Sequence, residues 1–158
     1  MKIDCTIDGK TLSLNINSNK PLSLILKENL GNETVNTAGS FNPESLVFID
    51  GQPVISSLVP AFECEGKEIV TFESFRDTPQ MKEIEHAYTL VGVHPCLDCN
   101  PSRSMMIEAL ANDGVDDPAV LKKELAMIGC SCIDLNDQVE VVRKLIETRR
   151  NKQRVRRS

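Results

Sequence analysis

The sequence is poor in aromatic residues and has no long apolar run. It contains no tryptophan, one tyrosine and five phenylalanines, so aliphatic side chains must supply most of the burial. No apolar stretch approaches the roughly 20 residues of a membrane-spanning helix. The first residues lead into an alternating strand pattern rather than a signal segment. We therefore expect a cytoplasmic protein.

Positive charge is also scarce over most of the chain. The net charge is -5, which argues against a nucleic-acid-binding surface. The exception is the basic run 149–157. We interpret it as a solvated or partly disordered tail, and the alternative is a docking strip for an acidic partner subunit.

The first half of the chain has the pattern of two β-hairpins. Alternating apolar residues flank an Asp-Gly turn at positions 8–9, and short apolar runs flank a second Asp-Gly turn at positions 50–51. A further apolar stretch, 69–72, predicts a closing strand. We expect these strands to form a mixed sheet in an α+β domain that covers residues 1–75.

One helix and one long loop are predicted between the two hairpins. The helix begins near Pro21, because proline is favoured in a first helical turn, and it ends at Gly31. Low apolar content over 32–44 predicts a loop, and loops of this length usually serve a function. The apolar stripe of the helix, on which the sheet would wrap, contains Leu22, Ile25, Leu26 and Leu30.

From Thr78 onward the apolar periodicity is helical. A capping residue followed by proline occurs at Thr78, Asn100 and Asp117 and predicts three helices. A fourth helix is predicted over 136–149. We expect an all-α four-helix domain over 79–158, with the basic tail at its end. Its inner faces should carry Met81, Ile84, Tyr88, Val91, Met105, Met106, Ala109, Leu110, Val120, Leu121, Leu125, Ile128, Val139, Val142, Leu145 and Ile146.

Four cysteines of this helical half form two closely spaced pairs. Cys96 and Cys99 make a CxxC, and Cys130 and Cys132 make a CxC. A CxxC turn brings two thiolates onto one metal, and a CxC loop can present two more. Four thiolates suit either tetrahedral zinc or a [2Fe-2S] cluster. Both pairs fall at predicted helix ends, where free backbone N–H groups can donate to sulfur. The spacing predicts a metal centre and leaves both metals open.

The other candidate residues have simpler interpretations. In a reducing compartment, we interpret Cys5 and Cys64 as buried structural thiols. We interpret His94 as a loop histidine or as a hydrogen-bond donor to the metal centre, and His86 as an ordinary helix residue. Asp98 would lower the reduction potential of a nearby cluster if it were poorly screened. Because no nucleophile–base pair or carboxylate dyad stands out, we expect no catalytic residue.

The order of these elements resembles a known family. A β-grasp domain followed by a helical domain with CxxC, two helices and CxC is similar to the small iron–sulfur subunit of the molybdenum hydroxylases, the xanthine dehydrogenase and aldehyde oxidoreductase family. The resemblance covers nearly the whole chain, and its most specific part is the order CxxC then CxC. It implies a ferredoxin-like β-grasp domain of the [2Fe-2S] type and a four-helix [2Fe-2S]-binding domain.

In that family both domains hold a [2Fe-2S] cluster. Aligning on the hairpin over 47–54 puts the ligand positions of the first cluster at Thr37, Asn42, Ser45 and Ser57. A site that lacks every soft ligand should not hold iron–sulfur. The resemblance therefore implies that the first domain has kept its fold and lost its cluster.

The second domain departs from the family around its ligands. Pro95 stands where a glutamine usually precedes the CxxC and contacts molybdopterin. Leu97 replaces a glycine that is usual inside the CxxC, and Ser131 replaces the arginine that is usual inside the CxC. The four cysteines themselves match the family positions. The changes bear on contact with the pterin rather than on cluster binding.

The resemblance implies an electron-transfer subunit of a molybdopterin-dependent hydroxylase or dehydrogenase complex. It would relay electrons through a single [2Fe-2S] cluster on Cys96, Cys99, Cys130 and Cys132. Molybdopterin would be bound by a large partner subunit, and FAD, where present, by a further subunit of the hetero-oligomer. The retained cluster would lie on the molybdopterin side of the relay and the lost one on the flavin side. Neither nucleic acid nor a membrane is expected as a partner.

Two other functions stay open. The chain could be a non-redox structural adaptor with zinc or no metal at the four cysteines. It could also be a free ferredoxin-like carrier, which the two-domain architecture and the basic tail fit less well.

Overall fold

The computed structural model describes residues 1–17, 19–30 and 46–157. The chain divides into two compact units, residues 1–77 and residues 78–158.

The first unit is built on a five-stranded sheet with the strand order β2-β1-β5-β3-β4. β1 runs parallel to β5, and the other neighbouring strands are antiparallel. The mixed sheet expected from the sequence is therefore confirmed. Its strands are β1 (Lys2–Ile7), β2 (Lys10–Asn15), β3 (Leu46–Ile49), β4 (Gln52–Ile55) and β5 (Glu68–Val70).

Both predicted hairpins are present, and each turns at its Asp-Gly pair. Asp8 and Asp50 have φ of 49°, and Gly9 and Gly51 have φ of 81°. Two consecutive residues with positive φ match the twist of the flanking strands, and aspartate followed by glycine tolerates this backbone best. The turn chemistry therefore sets the register of both hairpins.

One helix of the first unit, α1 (Leu22–Leu30), packs into the apolar core beneath the sheet. Leu22, Ile25 and Leu26 are at most 2% exposed, which confirms these members of the predicted stripe. Pro21 lies just before the helix, in a bridge to Pro60. The predicted end of the helix at Gly31 and the predicted loop over 32–44 lie outside the described residues.

The end of the first unit differs from the prediction. The strand expected over 69–72 stops at Val70, and a one-turn helix, α2 (Phe72–Phe75), follows. Thr71 ends the strand because its backbone N–H and its Oγ1 both donate to the carboxylate of Asp8, at 2.8 and 2.6 Å. Two single-turn 3-10 helices were also not predicted, Ser56–Leu58 and Ala61–Cys64.

The second unit contains the four helices that the sequence predicts. α6 packs against each of the other three. None of the helices in the described ranges combines the length and the apolar character that crossing a membrane requires. The helices are α3 (Pro79–Val91), α4 (Asn100–Asn112), α5 (Pro118–Leu125) and α6 (Leu135–Arg157).

Two of the three predicted helix caps are confirmed. Thr78 Oγ1 accepts a hydrogen bond from the backbone N–H three residues later, at 3.3 Å, and Asp117 Oδ1 accepts one from the N–H two residues later, at 2.9 Å. The prediction for Asn100 is wrong, because Asn100 is the first residue of α4 and Cys99 is the cap. The Asn100 side chain instead accepts a hydrogen bond from Ser104 Oγ at 2.9 Å.

Helix α5 ends earlier than predicted. The sequence pattern extends it to Ile128, whereas it ends at Leu125. The N–H of Ile128 donates to the carbonyl of Leu125 at 3.2 Å, a tightened last turn that satisfies a helix-end carbonyl. Ile128 is still buried, but Val120, which was expected inside, is 43% exposed.

Helix α6 is longer than predicted. It was expected to end at Arg149, before a solvated or partly disordered tail, but it continues to Arg157. Arg149 pairs with Glu83 at 3.4 Å and with Glu108 at 2.6 Å. Lys152 pairs with Glu83 at 3.1 Å. These ion pairs extend the helix, and cations near a helix C-terminus also interact favourably with its dipole.

Candidate metal centre

The four cysteines of the two pairs lie together in the second unit. Their Sγ atoms are all within 4.8 Å of one another. Cys99 and Cys132 are 3.3 Å apart, Cys96 and Cys99 are 3.4 Å apart, and Cys96 and Cys130 are 3.6 Å apart, measured between Sγ atoms. Two sequence motifs that are separated by two helices therefore offer four sulfur atoms to one centre.

The start of α4 positions the CxxC pair. Cys99 caps this helix and is 1% exposed. Cys96 is half-buried one turn earlier, and its carbonyl accepts a hydrogen bond from the N–H of Asn100 at 3.0 Å. Leu97 and Asp98, between the two cysteines, are exposed. One side of this turn therefore carries the sulfurs and the other side meets solvent.

The CxC pair lies in the loop between α5 and α6. Cys130 is half-buried and Cys132 is exposed. Just after the loop, Asp134 Oδ1 accepts a hydrogen bond from the backbone N–H two residues later, at 2.8 Å. The buried side chain of Gln138 donates Nε2–H to the carbonyl of Ile133 at 2.9 Å. These bonds at the start of α6 fix the chain immediately beyond the second sulfur pair.

A buried arginine connects the two cysteine pairs. Arg103 lies one turn after Cys99 on α4 and is 0% exposed. Its Nε donates to Cys99 Sγ at 3.4 Å, and its Nη2 donates to the carbonyl of Cys130 at 2.9 Å and lies 3.9 Å from Cys132 Sγ. This residue was not predicted from the sequence. Its spacing could have indicated it, because a residue four positions after a helix cap lies on the same face.

The electrostatics of the site follow from burial and from these hydrogen bonds. Burial raises the pKa of the Cys99 thiol to about 12, although the hydrogen bond from Arg103 opposes this shift. The pKa of Cys132 falls to about 7, because hydrogen bonds from the Cys96 N–H and from neighbouring thiols outweigh partial burial. Burial opposes the charge of Arg103, yet its bond to Cys99 and the nearby thiolates raise its pKa. Cys132 therefore has thiolate character near neutral pH, whereas Cys99 needs a bound cation to lose its proton.

The donor set fits a soft metal centre. Four thiolates are ligands for zinc and for iron–sulfur clusters, and either centre is anionic overall. Arg103 Nη1 is buried and has no hydrogen-bond partner among the described residues. A buried donor of a charged group is costly to leave unpaired. An anionic centre beside the guanidinium supplies the negative charge that this burial requires, so the residues present fit such a group.

The two histidines are surface residues of the second unit. His86 is exposed on α3, and His94 is exposed in the loop before the CxxC. His94 lines a cavity of about 310 Å³ together with Tyr88 and Pro95. Within the described ranges it makes no hydrogen bond to a cysteine of the site, so its interpretation as a loop histidine fits the structure better.

The first unit uses its cysteines differently. Cys5 and Cys64 are 3% and 0% exposed inside the apolar core, which confirms the prediction of buried thiols. Burial raises the pKa of Cys64 to about 11, so this thiol stays protonated. Of the four positions that the family resemblance assigns to a first cluster, Ser57 is half-buried in a 3-10 helix. The other three, Thr37, Asn42 and Ser45, lie outside the described residues.

A curated relative matches this chain in sequence along most of its length. The xanthine dehydrogenase iron-sulfur-binding subunit of Escherichia coli O157:H7 is 29% identical over 135 residues, which cover 82% of this chain and 84% of the relative. No model of a protein family matches the chain.

Several solved structures share the fold of this chain. Quinoline 2-oxidoreductase from Pseudomonas putida 86 matches with a TM-score of 0.72 and 20% identity, over 96% of both chains. The aldehyde oxidoreductases of Desulfovibrio desulfuricans ATCC 27774 and Desulfovibrio gigas match with TM-scores of 0.77 and 0.75 at 19% and 20% identity. They cover 95% and 96% of this chain but only 17% of their own chains. These identities support the fold alone.

Proposed function

Because the chain is similar to the iron–sulfur subunits of the molybdenum hydroxylases, we propose that it is the electron-transfer subunit of a molybdopterin-dependent hydroxylase or dehydrogenase complex. It binds one [2Fe-2S] cluster through Cys96, Cys99, Cys130 and Cys132. The observation that carries this proposal is the similarity to a curated iron-sulfur-binding subunit, and the four converging cysteine sulfurs supply the thiolate ligands that such a cluster needs. The chain performs no bond chemistry of its own.

The cluster count follows from the difference between the two units. The second unit offers four thiolates to one centre. In the first unit, both cysteines belong to the apolar core, and serine or another hard ligand stands at every former ligand position. Hard oxygen and amide ligands do not replace thiolates on iron–sulfur clusters. The relay would therefore be shorter by one cluster on its flavin side.

A bound cluster of this type accepts and releases one electron at a time. The four cysteines hold it at one end of α4, and the exposed Cys132 brings it near the protein surface. Three apolar side chains that flank the two pairs in sequence are also exposed, Leu97 by 92%, Met127 by 44% and Leu135 by 36%. Apolar surface around a redox centre suits a face that a partner subunit covers, which shortens the path for the electron.

The basic end of α6 supplies a second docking surface. Residues 149–157 contain six lysines and arginines and no carboxylate, in a chain of net charge -5. The rest of the chain therefore carries -11. The segment 150–157 is exposed, and like charges four positions apart on a helix repel one another. An acidic surface on the partner subunit relieves this repulsion and guides association.

A zinc-binding structural adaptor is the second candidate function. Four sulfurs around one zinc ion lie roughly 3.8 Å apart, given a Zn–S distance of about 2.3 Å in tetrahedral geometry. The observed Sγ separations of 3.3, 3.4 and 3.6 Å are close to this value. A two-iron cluster would need its two sulfur pairs further apart, because two metals lie between them. This spacing favours the adaptor, whereas the similarity to an iron-sulfur-binding subunit favours electron transfer.

Metal analysis tests the proposal. We would measure iron, acid-labile sulfide and zinc per chain after anaerobic purification together with the natural partners. Two irons and two sulfides per chain are expected. Four irons would mean that the first unit holds a cluster after all. One zinc without sulfide, or no metal, would contradict electron transfer and leave the structural adaptor.

A further inference from the structure

We propose that Arg103 is a positioning residue that holds the CxC loop against the CxxC turn and raises the reduction potential of the cluster bound between them. The second part of this statement rests on the proposed function. The first part concerns any metal that the four sulfurs bind.

The holding role follows from what Arg103 contacts. Its Nε reaches the sulfur of Cys99 in the first pair, and its Nη2 reaches the carbonyl of Cys130 in the second. Two nitrogens of one planar guanidinium therefore join residues that are separated in sequence by α4 and α5. The backbone N–H of Arg103 also donates to the carbonyl of Cys99 at 2.8 Å, so the helical backbone of α4 fixes the position of the Arg103 Cα relative to Cys99.

Burial makes this contact rigid. Arg103 is 0% exposed, so moving its side chain into solvent would require the residues packed around it to shift. The guanidinium fork presents several donors in fixed directions, which a lysine ammonium does not reproduce. Beneath it, Ser104 Oγ lies 2.9 Å from both Tyr88 Oη and Asn100 Oδ1. This buried hydrogen-bond network holds the first turn of α4 against α3.

The effect on potential follows from charge. A reduced cluster carries one more negative charge than the oxidised cluster. Hydrogen bonds to ligand sulfur and a nearby cation both stabilise the more negative state, and outer contacts of this kind tune metal centres. Arg103 provides both at Cys99, and its Nη2 lies 3.9 Å from the sulfur of Cys132. It therefore shifts the reduction equilibrium toward the reduced form.

The test compares three variants of the full chain. Arg103→Met removes the charge and the donors, and Arg103→Lys keeps the charge without the fork. Arg149→Met is the matched control, because Arg149 is also partly buried between helices and pairs with Glu83 and Glu108. We would measure the midpoint potential by spectroelectrochemistry and the rate of metal loss to a chelator.

We expect Arg103→Met to lower the midpoint potential and to accelerate metal loss by about tenfold or more, as substitutions next to metal ligands do. Arg103→Lys should lie between Arg103→Met and the unaltered protein in both measurements. Arg149→Met should reduce thermal stability but leave the potential unchanged. A merely structural Arg103 would accelerate metal loss without moving the potential.

The outcomes separate this inference from the proposed function. If the unaltered protein contains zinc and no iron, the proposed function fails, and the holding role is then tested by zinc release to a chromogenic indicator. If Arg103→Met does not fold, the same two measurements on Arg103→Lys test the inference. The holding role is wrong if the Arg103 variants lose metal as slowly as the unaltered protein, and the effect on potential is wrong if these variants, as iron–sulfur proteins, keep the potential of the unaltered protein.

Discussion

The two units of this chain place cysteine in opposite environments. In the first unit, Cys5 and Cys64 lie in an apolar core and are nearly inaccessible. In the second, four cysteines lie at a helix start and in a loop, next to the buried Arg103. Cysteine packs like a small apolar residue in one place and offers a set of candidate metal ligands in the other. Convergence of several sulfurs beside a positive charge distinguishes a metal site from core packing.

The cores of the two units also differ in how much charge and polarity they bury. The core of the first unit is formed by aliphatic side chains and two thiols. The second unit buries Arg103, Glu108 and Gln138 alongside its apolar residues. Buried polar groups require partners, and for Arg103 those partners are the cysteines. We therefore expect the first unit to fold independently of metal and the second to depend on it.

Serine substitution of one cysteine in each unit is the sharpest test of this difference. Cys99→Ser removes a ligand, so we expect complete loss of the cluster, measured as iron and sulfide per chain. Cys64→Ser should leave the metal content unchanged and lower the free energy of unfolding by about 2 kcal/mol, because a buried hydroxyl loses hydrogen bonds to water. Loss of metal in Cys64→Ser would show that the buried thiol of the first unit also contributes to metal binding.

Removal of the metal should affect one unit and spare the other. After treatment with a chelator and reductant, hydrogen exchange should accelerate at the start of α4 and in the loop after α5. The reason is that the sulfurs no longer offset the buried charge of Arg103. Amides of β1 and β2 should exchange as slowly as before. Uniform acceleration along the chain would show that both units depend on the metal.

The ion pair between Arg149 and Glu108 provides a test within the second unit. Arg149 Nη2 lies 2.6 Å from Glu108 Oε2, and the Glu108 side chain is 6% exposed. Arg149→Met leaves that carboxylate buried without its cation, so we expect a loss of about 3 kcal/mol in the free energy of unfolding. As a comparison, Ile69→Val in the core of the first unit should cost about 1 kcal/mol. Denaturant titrations would measure both, and equal effects would argue against a greater role of charge in the second unit.

The smallest effect on stability is expected at the basic end of α6. Replacing Arg154, Arg156 and Arg157 together by glutamine should change the free energy of unfolding by less than about 0.5 kcal/mol, because these side chains are exposed. It should still weaken association with the partner subunit several-fold, and the difference should shrink as salt rises. Lys2→Gln with Lys10→Gln in the first unit is the control. If the affinity for the partner subunit at low salt is the same with and without the α6 substitutions, the basic end of α6 is not a docking surface.

Features with local causes could be predicted from the sequence. Asp-Gly turns, the capping residues Thr78 and Asp117, and the two cysteine pairs each carry their signal within a few residues. Their positions gave the hairpins, the helix starts and the candidate ligands. The fold as a whole was predicted from the order of these local features and from the family resemblance.

Features that depend on distant contacts could not be predicted. The strand end at Thr71 depends on Asp8, 63 residues away. The extension of α6 depends in part on the contact between Lys152 and Glu83, 69 residues apart. Arg103 looks like an ordinary helix cation until folding brings Cys130 next to it. Each of these side chains gains its role from a partner that no local sequence window contains.

The number of unpaired electrons per chain distinguishes one cluster from two. We expect the dithionite-reduced protein, purified with its partners, to give one S = 1/2 signal that integrates to about one spin per chain for one [2Fe-2S] cluster. That signal should disappear in Cys99→Ser and persist in Cys64→Ser. Two distinct signals of about one spin each from this chain would mean that the first unit holds a cluster without cysteine ligands, and the proposal of a single cluster would be wrong.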